Sequence, residues 1–484
     1  MYEEAAYAWF NRLVAIRILE ENELVTSEVL TPVDDIRTPQ ILLDAQQGDL
    51  PPLDDTETEI VDLLLSENND RPKLFAILIN AWCHANPILK GCFGSVADFT
   101  ELLVPYDIME ADNFLDMLTH TPYITKEDFK NPELIGWLYQ FYISEKKDEV
   151  FAKKGKFEAD NIPAATQIFT PNWIVRYLVQ NTVGRMYLDN HPEADHLAER
   201  WNYLTPDNHP NPAEKPIHKI DNLQKLRMAD LACGSGHILN VGFDLFMDLY
   251  KEEFVSRANA VEQILKHNLI GIDIDDRARQ LAMFSLTLKA CQHAPGFENR
   301  FVRPNVMSMP KPYDEELYGD RDKTLHSFFK GLEKDDTMAE VNAAYDLLQD
   351  AKSLGSIMKI QISNRTRIII THALEFWESR PEIPEEIEMQ FMAMRVILAL
   401  SQTYSAIVMN PPYMGTGNMN PVLSKYVKEN YEDGKADLSS VFMQVAENLL
   451  EENGKYAIIN MQSWMFLSSF EKLRKHIIDT MHID

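Results

Sequence analysis

Apolar positions recur along this chain with two different spacings, and the change between them divides it. Over residues 1 to about 150 the spacing is helical. Ala6, Trp9, Phe10, Leu13, Val14, Ile16, Ile18 and Leu19 form one stripe. Leu74, Phe75, Ile77, Leu78, Ala81 and Trp82 form a second, and Leu134, Ile135, Leu138, Phe141 and Tyr142 a third. The intervening loops carry Pro and Asp, as in Thr38-Pro39 and Asp49-Leu50-Pro51-Pro52. This region carries no chemical signature and reads as a helical layer whose aromatics are core. No fixed-period repeat or low-complexity tract is present.

Beyond residue 228 short apolar runs alternate with helical stretches. Met228–Asp230, Leu269–Asp275, Phe301–Val306, Ser405–Met409 and Tyr456–Ile459 read as strands. Helices are predicted over about 238–254, 259–267, from Arg277, from Asp437 to Leu450, and along the amphipathic stretch Trp464–Ile477. Glu452-Asn453-Gly454 is predicted to be a turn and the Gly/Asn-rich segment 414–420 a mobile loop. Helical patterns at Met338–Leu354, Arg365–Trp377 and Glu385–Leu400 delay the fourth strand and carry no evident chemistry. Glu385, Glu386 and Glu388 suit the positive end of the last of these helices. The alternation predicts an α/β fold: a Rossmann-like, doubly wound sheet with a helical N-terminal region and a helical insertion. The expected divisions are 1–160, 161–310, 311–397 and 398–484.

Composition narrows the class. Of 484 residues, 45% are hydrophobic and 25% charged, as in ordinary globular proteins. The four cysteines, Cys83, Cys92, Cys233 and Cys291, have neither metal-site nor disulfide-framework spacing, so a reducing cytoplasm and no metal are expected. The first residues are acidic, unlike a signal peptide, and no apolar run approaches the roughly 18 residues of a membrane span. The net charge of −29 sets a condition: any basic groove for nucleic acid must be local or lie outside these residues.

Candidate chemistry sits at the strand ends, where open α/β sheets place ligands. After Ser405–Met409 comes Asn410-Pro411-Pro412-Tyr413. Two prolines stiffen the turn. The Asn410 oxygen and the Pro411 carbonyl can then accept hydrogen bonds from a planar amine on which Tyr413 stacks. After Met228–Asp230 comes Leu231-Ala232-Cys233-Gly234-Ser235-Gly236. Its acid precedes the glycines, which repels a pyrophosphate and suits a cationic ligand. Asp273 and Asp275 close the second strand, and Asp273 is placed to accept from ribose hydroxyls. Asn305 is a weaker candidate for an adenine edge. Upstream, Thr170 before Pro171 reads as a helix cap, with Trp173, Ile174, Tyr177, Leu178, Asn181 and Thr182 on the inner face.

In their order, Phe169-Thr170-Pro171, Asp230–Gly236, Gly271–Asp275 and Asn410–Tyr413 resemble the adenine-N6 DNA methyltransferases of the gamma motif order. A closer resemblance, to the PglX methyltransferases of BREX phage-defence systems, rests on Ala6–Leu13, Gly136–Lys147, Ile162–Gln167 and Asn460–Ser469. One departure is Leu231, where the commoner loop has Pro. The resemblance implies that Phe169, Thr170 and Pro171 border the methionine end of S-adenosyl-L-methionine. Asp230, Ala232, Cys233, Gly234, Gly236, Asp273, Ile274 and Asn305 would complete the cofactor site, and Asn410, Pro411, Pro412 and Tyr413 would receive an adenine flipped from double-stranded DNA. It also implies other BREX proteins as partners.

In the resembling family a further aromatic, the last strands and a target-recognition domain lie downstream, so a truncated or split product is expected, holding cofactor without the full DNA-methylating apparatus. Two alternatives stay open: an enzyme of this fold acting on protein glutamine or RNA, and a cofactor-responsive DNA-binding or assembly subunit.

Overall fold

The computed structural model describes all residues except 1, 32–37, 68–69, 95–102, 121–122, 153–154, 167–169, 208–214, 381–382 and 484. It divides into two units, residues 1–139 with 283–303, and residues 140–282 with 304–484. The helical N-terminal unit therefore ends earlier than the expected boundary at 160 and takes in a later piece of chain.

In the first unit the helix Tyr2–Glu21 packs against Phe114–His120 and Lys126–Phe129, and its Arg12 reaches Arg71–Ala85. Its stripe is buried as the spacing requires, with Leu13, Val14, Ile16, Ile18 and Leu19 fully enclosed. The same helix buries polar groups, two of which are paired with parts of the unit beyond the helix. Arg12 donates to Asn80 Oδ1 at 2.7 Å. The Glu20 carboxylate accepts from Val29 N at 2.7 Å and Leu30 N at 2.6 Å, fixing the chain after the helix.

The second unit holds a five-stranded sheet: β1 Met228–Asp230, β2 Leu269–Asp273, β3 Val306–Ser308, β4 Tyr404–Met409 and β5 Leu450–Ile458. The order is β3-β2-β1-β4-β5, and every pair is parallel. The chain winds outward from β1 through β2 to β3, then returns to β4 on the other side of β1. The switch point thus falls between β1 and β4. All residues of β4 are buried, which explains its unbroken apolar run. The insertion helices share one core with the sheet. Leu325, Phe328, Trp377 and Phe391 pack in the same cluster as Ala229, Ile272, Ile407 and Met409.

Several expectations need correction. β3 begins at Val306, so Phe301–Asn305 leads into the strand and does not form it. Glu452-Asn453-Gly454 lies inside β5, where Asn453 takes φ of 59° and the β4–β5 register shifts, making a bulge. The segment after Tyr413 is pinned: Leu438 N donates to the Met414 carbonyl, Phe157 N to the Asn418 carbonyl, and Met419 is buried. An unforeseen helix, Pro421–Asn430, follows, capped by Asn420 Oδ1 on Leu423 N. The last helix starts only at Glu471, and Met465, Phe466 and Leu467 before it are exposed.

The turn after β1 shows why glycine is needed. Gly236, at φ of 87°, opens the helix His237–Glu252, and a Cβ there would lie 2.9 Å from Ala282 Cβ. Gly296 has a similar left-handed conformation, φ of 91°, with open space around it. Gly236→Ala is expected to cost about 2–4 kcal/mol, left-handed strain plus overpacking, and Gly296→Ala about 1–2 kcal/mol, strain alone. Urea denaturation midpoints of the two variants check the ranking.

Candidate active site

β1 and β4 are adjacent, so the turns leaving their carboxyl ends face the same space. A cavity with about 130 Å³ of free space lies there, within the second unit. Asp230, Ala232, Cys233 and Gly234 line it from the β1 turn, Asp273 and Ile274 from β2, and Asn410 and Pro412 from β4. The helix Ile162–Thr166 and Thr170 close one side, Leu438 and Phe442 another.

Asn410 is held from both ends. Its Nδ2 donates to Thr170 Oγ1 at 2.9 Å, and its Oδ1 accepts from the Tyr413 hydroxyl at 2.9 Å. That hydroxyl also lies 3.1 Å from the Ile459 carbonyl at the end of β5. Burial, reinforced by Asp437, pushes the Tyr413 phenol up to about 12, so it keeps its proton. One lone-pair direction of the Asn410 oxygen remains for a ligand amine.

The acids differ in how they are compensated. Asp230 is 1% exposed, and its Oδ1 accepts from Ala232 N at 3.2 Å. Burial, with Asp273 nearby, lifts its carboxyl to about 8, the Ala232 N–H alone opposing. Asp273 accepts from Gly234 N and Asp275 N, both at 2.8 Å. Burial raises it to about 6. Gly234 has φ of 53°, and a Cβ on it would meet nothing within 4 Å, so the backbone is bare toward a ligand. Cys233 donates its N–H to the Ile272 carbonyl at 3.0 Å, and burial raises its thiol.

These residues fit the cationic, ribose-bearing ligand expected from the sequence. A buried carboxylate of this kind is favoured by a ligand ammonium, and the Asp273 carboxylate has acceptor capacity left for hydroxyls.

Some expected residues are placed differently. Thr170 does not cap. Pro171 occupies the cap position of the helix Asn172–Val179 without a side-chain bond, and the Thr170 hydroxyl serves Asn410 instead. On that helix Val175, Leu178 and Val179 are buried, while Trp173 and Tyr177 face outward. Pro171, Gly236, Pro411 and Tyr413 support the site without lining the cavity. Asn305 is removed from it. It precedes β3, at the opposite end from the ligand turns, and its Oδ1 accepts from Arg395 at 3.2 Å. Phe169 and Gln167 lie outside the described residues. Among the described residues no group of acids, cysteines and histidines could hold a metal ion, and no helix is long and apolar enough to cross a membrane.

The insertion, read as chemically silent, contributes Ser353, Leu354, Gly355 and Ser356 to the cavity wall. No motif in the sequence marks these residues.

Because Asp230 is raised from 3.8 to about 8, its ionisation opposes folding of the ligand-free protein. Its stability contribution is complete below pH 3.8 and is lost as pH rises towards 8. Asp230→Asn is therefore expected to unfold at a higher temperature than the wild type, by a margin that grows from pH 5 to 8. Thermal melts of both proteins without ligand across that range check it.

Residues 267–484 match the family model of the Eco57I restriction-modification methylase. The chain is 34% identical to the adenine-specific methyltransferase BrxX of Escherichia coli O9:H4 (strain HS), over 99% of its own length and 41% of that protein. It is also 34% identical to the adenine-specific methyltransferase PglX of Lacticaseibacillus casei (strain Zhang), with the same two coverages. It thus spans less than half the length of these relatives. A nuclease-deletion mutant of the Type ISP restriction-modification enzyme LlaGI, in complex with a DNA substrate mimic, aligns over 96% of this chain and 30% of its own. That alignment has 13% identity and a TM-score of 0.36, too loose to bear on the site. Sequence similarity to these two adenine-specific methyltransferases thus runs along almost all of the chain, and similarity to the restriction-modification methylase model along its second part.

Proposed function

We propose that this chain carries the cofactor and catalytic region of an enzyme that moves a methyl group from S-adenosyl-L-methionine to the N6 amine of an adenine flipped out of double-stranded DNA. Its setting would be host marking in BREX-type phage defence, with other BREX proteins as partners. One observation carries this reading: Asp230 and Asp273 share a single cavity with Asn410. A cofactor held by the two acids would share that cavity with the amine acceptor, as a single transfer requires.

Asp230 would hold the cofactor's ammonium and Asp273 its ribose hydroxyls, with Gly234 giving close approach. When bound, the cofactor supplies an electrophilic methyl on a sulfonium. Asn410 Oδ1 and the Pro411 carbonyl accept from the two hydrogens of the adenine amine. That draws the nitrogen out of conjugation and aims its lone pair. Thr170 and Tyr413 hold the Asn410 amide before the base arrives, so little reorganisation accompanies the reaction. No nucleophilic side chain is required.

Asn410→Ala, made in the full-length protein, is expected to lower methyl transfer to adenine-containing duplexes by at least about 10²–10³-fold while cofactor affinity stays within a few-fold. Transfer of labelled methyl groups, paired with calorimetric titration of the cofactor, checks both halves. Loss of both together would refute the assignment of Asn410 to the base side. Thr170→Val is expected to act in the same direction by about tenfold, since one hydrogen bond fixing the amide is lost.

A further inference from the structure

Residues 352–356 of the insertion touch both ligand turns. Lys352 Nζ donates to the Ile274 carbonyl at 2.9 Å, on the turn after β2. The Ser356 hydroxyl donates to the Leu231 carbonyl, beside Asp230 on the turn after β1. Between them Ser353, Leu354 and Gly355 line the cavity, and Asn420 Nδ2 fixes the Ser353 hydroxyl at 3.2 Å. β1 and β2 pair as neighbours, and beyond their ladder Cys233 N donates to the Ile272 carbonyl and Gly234 N to Asp273; residues 352–356 add a second tie across the two turns from the cavity side.

Lys352 also answers a charge problem. Asp273, Asp275 and Asp276 fall within four residues. Burial works against Asp276, yet Arg279 and Ser308 outweigh it and hold its carboxyl at about 2. Asp273 and Asp275 have backbone N–H donors at 2.8 Å and from Arg277 N at 3.0 Å. Burial depresses the Lys352 amine, against the pull of Asp276, Asp275 and Asp273, with Lys311 adding to the depression.

We propose that Lys352 and Ser356 are positioning residues that staple the Asp230 and Asp273 turns at ligand-binding separation, making the helical insertion a working wall of the cofactor site. The inference rests on the methyltransferase reading and extends it to a region with no recognisable motif. Residues that seal a cavity and tie down both of its acid-bearing turns pre-organise it, so their loss falls on binding.

The test titrates S-adenosyl-L-methionine by calorimetry into the unmodified protein and into Lys352→Met, Lys352→Arg and Ser356→Ala, from pH 5.5 to 8.5. Lys352→Met is expected to weaken binding about tenfold or more at pH 7. It should also move the midpoint of the pH dependence upward, because Asp273 and Asp275 lose a countercharge and protonate more readily. Lys352→Arg should restore the midpoint and most of the affinity, and Ser356→Ala should weaken binding without moving the midpoint. Melting curves without ligand identify any variant that has failed to fold, and Lys352→Arg and Ser356→Ala then carry the comparison. If the unmodified protein shows no binding, the cofactor reading itself fails. If it binds and Lys352→Met matches it in affinity and pH profile, the staple is overturned alone.

Discussion

Parallel pairing of β1 with β4 is the contact on which the site depends. Met228 pairs with Ala406 and Ala229 with Ile407, so two strands far apart in sequence end side by side. A parallel ladder points both carboxyl ends the same way. The Asp230 turn and the Asn410 turn therefore open onto one space, as switch points in open sheets generally do. Shifting either strand by one residue would exchange its two faces, and β4, buried along its whole length, is packed on both and resists the slip.

That geometry concentrates cost as well as chemistry. Asp230 and Asp273 sit where water is largely excluded, and both carboxyls are raised above their usual range by burial. The ligand-free site is consequently under electrostatic tension that a cation would relieve. The Asn410 side has the opposite character. Its amide is satisfied by Thr170 and Tyr413, so it is held rigid without a ligand. One half of the cavity stores the driving force for binding, and the other keeps a fixed shape.

How much of this was legible depended on where the signal was local. β4 and its Asn-Pro-Pro-Tyr end were plain, because an apolar run broken by two prolines has few other readings. The Asp230 turn was legible for a similar reason, since its glycines stand between strand and helix. Thr170 was misassigned because Thr before Pro is a sound capping signal, while its true partner, Asn410, is remote in sequence. Asn305 was misplaced by a strand read a few residues early, which puts a side chain at the wrong end of the sheet. Asn453-Gly454 has turn chemistry, but its positive φ serves a bulge inside β5. Lys352 and Ser356 gave no local signal, since each acts through one hydrogen bond to a distant backbone carbonyl.

The long passage from β3 back to β4 has a kinetic consequence. Helices and the β1–β2–β3 half rely on contacts between segments closer in sequence, whereas β4 closes its ladder with β1 across the whole intervening chain. Closing so large a loop costs entropy before any pairing repays it. The innermost strand of the sheet is then the last to acquire its second neighbour. Until it does, nascent chains display a bare apolar edge at the position that later becomes most deeply enclosed, and that interval is when chaperones or aggregation compete for them.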